Sequence, residues 1–255
     1  MQRSADPVPQ QQQQPEQQPE QQQQAVSEPD GPAAPGLADR MRQCTAELHA
    51  QAEQSGAVRE ILAGRISAAR YALFLRNLLP AYRELERGLL GARAQPGVGA
   101  LCRPEIFRAP AIESDLIRLA GSDGLERMPL LPEGLDYARR IAAAAAGDGS
   151  RLIAHAYVRY LGDLAGGLLL KRRLAAVPGI GPACVAFYEF PELESPRAFA
   201  RAYRAAIDAA AAQLPSIDGV LAEAADAFRC NIALSEAVAR TPGADASPAG
   251  TAHNT

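Results

Sequence analysis

Two short stretches of this chain carry residues whose types and spacing could do chemistry. The first is the run Tyr157-Val158-Arg159-Tyr160-Leu161-Gly162-Asp163-Leu164-Ala165-Gly166-Gly167. Its apolar positions Tyr157, Tyr160, Leu161, Leu164 and Leu168 recur at helical spacing and predict one apolar face. Three glycines fall within six residues of that helix, each costing roughly 1 kcal/mol relative to alanine. Glycine lacks a side chain, so a flat ligand or a second backbone can approach closely there. One carboxylate, Asp163, stands among them. It is four residues from Arg159, which permits either a solvated ion pair or a buried carboxylate needing polar partners. Arg159, Tyr137 and Asn231 are the candidates to reach it. The second stretch centres on His49, with Thr45 and Glu53 one turn away on the same face. A carboxylate at that spacing can fix the tautomer of a metal-bound imidazole; read alone, His49 is an ordinary surface histidine. No HxxE or ExxH pair accompanies it, so the spacing supports neither zinc nor a di-iron site. A single histidine suits haem, whose porphyrin supplies the other four ligands. His155 reads as a satisfied core histidine, and His253 falls in the C-terminal tail.

The elements that must position these residues are helices. Ala, Leu, Arg and Glu dominate, and alternating β-branched runs are missing, which predicts an all-α fold. Helices are expected at about 37–53, 56–63, 67–91, 112–120, 133–146, 150–175, 196–213 and 217–239. Pro80 should kink the third of these without ending it. The run Pro178-Gly179-Ile180-Gly181-Pro182 is a firm break, and Phe187–Phe190 is expected to be extended. Residues 1–36 are rich in Gln, Pro and Glu and read as a disordered tail, as do 241–255. The domain expected between them spans 37–240. A formal net charge of −3 argues against general nucleic-acid binding. There is neither a signal-peptide core nor an apolar run long enough to span a membrane. Cys44, Cys102, Cys184 and Cys230 form no CxxC and read as reduced thiols, so the chain is expected to be soluble and cytoplasmic.

The segment Ala154–Gly167 closely resembles the distal-helix signature of the biliverdin-producing haem oxygenases. Thr45–Glu53 resembles that family's proximal-histidine helix, and Tyr203-Arg204 and Phe228-Arg229-Cys230-Asn231-Ile232 resemble its later helices. The likeness covers about 37–240 and implies a single-domain fold with haem held between a proximal and a distal helix. It implies that His49 is the axial iron ligand, with Glu53 on its other ring nitrogen. Gly162, Gly166 and Gly167 would let the distal backbone lie almost on the porphyrin. Asp163 would hold a distal water network with Arg159, Tyr137 and Asn231. Arg42, Tyr157 and Arg204 would meet the propionates, a task suited to cations and a phenol. Two positions depart from one branch of the family. Ala200 replaces a propionate-binding lysine, with Arg201 or Arg197 as candidate substitutes, and Leu79 replaces a distal-pocket tyrosine. The activity implied is O2-dependent opening of haem to biliverdin, CO and ferrous iron. Electrons would come from an external reductant such as ferredoxin, flavodoxin or a flavin reductase, with the basic run Lys171-Arg172-Arg173 a candidate docking surface. The alternatives are a non-catalytic haem carrier or sensor on the same fold, and a helical interaction protein whose glycine helix only packs tightly.

Overall fold

Two long helices organise the chain, and each is made by a different local logic. The computed structural model describes residues 34–214 and 216–242; most of the two tails expected from composition lies outside them. Helix α4 (Ala68–Gly91) starts at Ser67, whose hydroxyl accepts the Arg70 amide at 3.1 Å. It runs through Pro80 unbroken, as expected, with the Asn77 carboxamide one turn earlier tying neighbouring loop backbone to it. Asn77 Nδ2 donates to the Leu73 and Pro129 carbonyls at 2.9 and 3.1 Å, and its Oδ1 accepts the Leu131 amide. Helix α11 (Asp218–Arg240) is the other axis. On one or both of these pack α1 (Leu37–Cys44), α2 (Ala46–Glu53), α3 (Gly56–Leu62), α5 (Ala109–Ala120) and α7 (Pro132–Ala144), while α6 (Gly124–Arg127) packs on α5 and α10 (Pro196–Ala211) on α1. No strand occurs among the described residues, so the all-α reading holds. None of the described helices is long and apolar enough to cross a membrane.

Three local departures from the expected helices have physical causes. The single helix expected over 37–53 breaks at Thr45. The Thr45 hydroxyl donates to the Met41 carbonyl at 2.7 Å, and such back-bonding bends helices. The segment Phe187–Phe190 is extended only from Glu189: residues 186–188 form a 3-10 turn. The buried Asp115 carboxylate on α5 collects the Ala186 and Phe187 amides at 2.9 and 2.8 Å, which curls the chain around it. The third departure matters most. The helix expected over 150–175 is α8 (Leu152–Ala156), a wide π segment (Tyr157–Leu161) and α9 (Gly162–Ala175) in one rod, called here the distal helix. Wide turns of this kind concentrate at functional sites. The extra residue changes the phase of everything after it. Tyr160 and Leu161 are buried, whereas Leu168, expected on the same face, is 58% exposed.

Beneath the rod lies a buried polar cluster. The His155 ring, on α8, meets Glu223 of α11 at 3.0 Å through Nε2, so His155 is a core histidine as the sequence suggested. Arg140 of α7 donates to both Glu223 oxygens at 2.7 and 3.1 Å and to Asp226. Burial would raise the Glu223 pKa, but the hydrogen bonds and charges of His155 and Arg140 outweigh it and hold it at about 2.

Candidate functional site

A cavity of about 370 Å³ opens between α2 and the distal helix, within the usual range for small-molecule sites. His49 and Glu53 of α2 line one side, and Gly162 and Asp163 line the other. Arg42, Tyr157, Arg159, Arg204 and Asn231 also border it. The structure therefore gathers around one cavity nearly every residue singled out from the sequence. Tyr137 stands just behind, completely buried, and Gly166 and Gly167 do not line it, Gly167 being set against Tyr188.

On the α2 side, the His49 side chain is 60% exposed and its ring packs edge-on against Phe228, centroids 5.7 Å apart. Nδ1 lies 3.8 Å from Glu53 Oε1, an ion-pair separation and longer than a hydrogen bond. The direct Glu53 bond expected from the resemblance is thus not formed. With Nδ1 turned to Glu53, Nε2 is the nitrogen left for a ligand bond.

The distal side is more tightly organised. Tyr82, from α4, donates its hydroxyl to Asp163 Oδ2. Arg159 donates from Nε to the Tyr82 hydroxyl at 2.9 Å, from Nη1 to Asn231 Oδ1, and stands 3.4 Å from Asp163 Oδ1 through Nη2. Asn231 Nδ2 reaches the Tyr137 hydroxyl at 3.3 Å. Arg159, Asn231, Tyr137 and Asp163 therefore form one network, as anticipated. Tyr82 is the member that sequence reasoning missed. Leu79 is buried in the core, and the phenol it lacks is supplied by Tyr82, three residues on and so on the same helix face. That i, i+3 relation was the available signal.

Electrostatics in the network follow from burial. Asp163 is 5% exposed, and burial pushes its carboxyl above the ordinary range, against the pull of Arg159 and of the Tyr82 hydrogen bond. Burial likewise raises Tyr82 well above the ordinary phenol range and pushes Tyr137 up to about 12. Arg159 keeps its charge, because the groups around it, Tyr82 and Asp163 first, outweigh burial. The result is a carboxyl that takes a proton readily, held at the cavity wall in a chain of phenol, guanidinium and amide.

The glycines divide into two kinds. A Cβ added at Gly162 or Gly166 would meet no atom within 4 Å, so both present bare backbone to open space. One added at Gly167 would come 3.2 Å from Tyr188 Cδ1. Gly162 thus leaves space at the cavity wall, Gly166 presents bare backbone one turn on, and Gly167 makes room for a side chain of the protein.

At the far end, burial raises the Tyr157 hydroxyl and the positive charges of Arg204 and Arg42 pull it back, placing one phenol between two cations. Ala200 contributes no cation here. Arg197 and Arg201, the candidate substitutes, are exposed and do not line the cavity.

The model of the family described as heme oxygenase matches residues 35–237. The chain belongs to the haem oxygenase family. Among haem oxygenases, "Heme oxygenase 1" of Synechocystis sp. is 31% identical over 196 residues, covering 77% of this chain and 82% of the relative. "Heme oxygenase 1" of Rattus norvegicus is 32% identical over 204 residues, 78% of this chain and 70% of the relative. The crystal structure of Synechocystis heme oxygenase-1 in complex with heme superposes with a TM-score of 0.73 at 30% identity, covering 80% of this chain and 92% of that one. The heme oxygenase of Leptospira interrogans superposes with a TM-score of 0.71 at 30% identity, covering 80% of this chain and 100% of that one. The match spans the helices that carry both sides of the cavity, so the haem-oxygenase fold includes the site.

Proposed function

We propose that the protein binds haem in the cavity between α2 and the distal helix and opens it to biliverdin, CO and ferrous iron, consuming O2 and electrons from an external reductant. One observation carries this reading. Gly162, with nothing in front of it, lies across a cavity from a histidine with a free Nε2, and a buried carboxylate network stands beside it. A planar macrocycle fits a bare helix face, and a single histidine suffices where the porphyrin supplies the remaining ligands. Haem supplies the iron at which O2 is activated and is also the substrate.

The protein's own groups then have distinct tasks. His49 holds the iron from the α2 side, with Glu53 orienting its ring across 3.8 Å and Phe228 bracing it. Arg42, Tyr157 and Arg204 bind the propionates and so fix how the ring is turned. Gly162 would let the ring lie close against the distal helix, a positioning effect. Asp163, held by Tyr82 and Arg159, would hold and supply a proton at the cavity wall. A non-catalytic carrier has no use for such a network.

Electrons arrive from outside, and ferredoxin, flavodoxin and a flavin reductase are the candidate classes. Lys171 is engaged with Glu189 at 2.7 Å, so docking of an acidic donor falls to the exposed Arg172 and Arg173. The cytoplasm is the compartment this reading implies, since all four cysteines are free thiols. The first test is His49→Ala. It is expected to lose the absorption spectrum of histidine-ligated haem together with turnover. An unchanged spectrum would assign the iron to another ligand.

A further inference from the structure

The buried cluster beneath the rod is arranged in step with the distal network above it. Tyr137 and Arg140 are three residues apart on α7. His155 and Arg159 are four apart on the distal helix. Glu223 and Asn231 are eight apart, two turns, on α11. Each of the three helices therefore carries one member of the network at or just behind the cavity wall and, one or two turns away, one member of the cluster. Tyr137 also packs on the His155 ring, centroids 5.9 Å apart, which joins the two layers directly.

The cluster is a poor device for stability alone. His155 and Glu223 are 0% and 2% exposed, and burying such groups is costly even when they are paired. His155 Nδ1 is buried with no hydrogen-bond partner among the described residues, which adds to that cost. An apolar residue of similar shape would pack there without either penalty. A hydrogen-bonded pair offers what apolar packing does not, a fixed register between helices. We propose that His155, Glu223 and Arg140 form a positioning cluster that sets the register of α7, the distal helix and α11, and thereby aims Tyr137, Arg159 and Asn231 at Asp163. None of the three reaches the cavity, so they act through the network and not on the substrate. The consequence for turnover rests on the function proposed above; the consequence for the network does not.

The test pairs His155→Phe, which keeps a ring against Tyr137 but removes the donor to Glu223, with His155→Gln, whose side-chain amide can donate again. The first readout is taken on the protein without haem: the downfield proton resonance of the Tyr82 hydroxyl bonded to Asp163, identified by its loss in Tyr82→Phe. The second is turnover of the haem complex beside haem affinity from a Soret titration. His155→Phe is expected to shift or broaden away the Tyr82 resonance and to lower the turnover rate by about tenfold to a hundredfold, the usual effect of losing an outer-shell partner, with affinity held within about twofold. His155→Gln is expected to recover most of both. Should His155→Phe fail to fold, Arg140→Gln, at a site 37% exposed, gives the same two readouts. An unaltered Tyr82 resonance and turnover rate in a folded variant would reduce the cluster to core packing. If the unmodified protein left haem intact while the resonance still responded, the proposed function would fall and the positioning role would stand.

Discussion

Asp163→Ala is expected to bind haem within about tenfold of the unmodified protein and to lose nearly all biliverdin formation. The loss should be on the order of a hundredfold or more, the range for removing a positioned acid–base group. Binding survives because the contacts assigned to haem lie elsewhere, on His49, the bare faces of Gly162 and Gly166, and the Arg42–Tyr157–Arg204 end. Turnover fails because no other carboxylate borders the cavity on the distal-helix side. Arg159 keeps its bonds to the Tyr82 hydroxyl and Asn231 Oδ1 but loses its carboxylate, so a drop in stability is expected alongside and a melting curve is taken first. Asp163→Asn is the sharper control. It preserves shape and can still accept from Tyr82, but it carries no titratable proton, so it should be nearly as inactive as the alanine variant. Product chromatography after aerobic turnover decides the matter, and biliverdin at the unmodified rate from either variant would remove Asp163 from the reaction.

The second large effect separates stability from binding. Gly162 and Gly166 are helical, exposed and unopposed, so replacing either by alanine removes a penalty of roughly 1 kcal/mol in the haem-free protein. Each should raise the melting temperature by about 2–4 °C for a chain of this size. The same methyl group intrudes on the space assigned to the macrocycle, so haem affinity should fall by about tenfold or more, at least ~1.4 kcal/mol. A variant that is both more stable and a weaker binder shows that these glycines are kept for the ligand. Gly167→Ala serves as the contrast. Its Cβ would press on Tyr188 at 3.2 Å, so its gain in stability should be smaller or absent. A rise in melting temperature without any loss of affinity would mean that haem does not lie on this face.

Much of this was legible in the residues because it is local. Helical periodicity gave the elements to within a few residues, and the cost of three glycines marked the distal helix as a place of close approach. The spacing of Arg159 and Asp163 foretold their contact. What escaped was non-local or depended on phase. Tyr82 lies 81 positions from Asp163; it shares a face of α4 with Leu79, but no linear pattern sets that face beside the carboxylate on α9. The curl at 186–188 is imposed by Asp115, itself distant in sequence. The expected Glu53 bond relaxes to 3.8 Å, because both side chains are well exposed and packing does not force them together. Leu168 was assigned to the wrong face because a count of 3.6 residues per turn does not hold across a π segment.

That segment also makes the site depend on the chain's length as well as its letters. Each residue of an α-helix turns the rod by about 100°, so one surplus residue in an unbroken α-helix would swing everything after it off the cavity. The wide turn takes up that residue in its larger circuit, so Gly162 and Asp163 still line the cavity. Forcing the same residues into α geometry would turn Asp163 away from Tyr82 with every functional group still in the sequence. The composition of the site would be whole and its alignment lost.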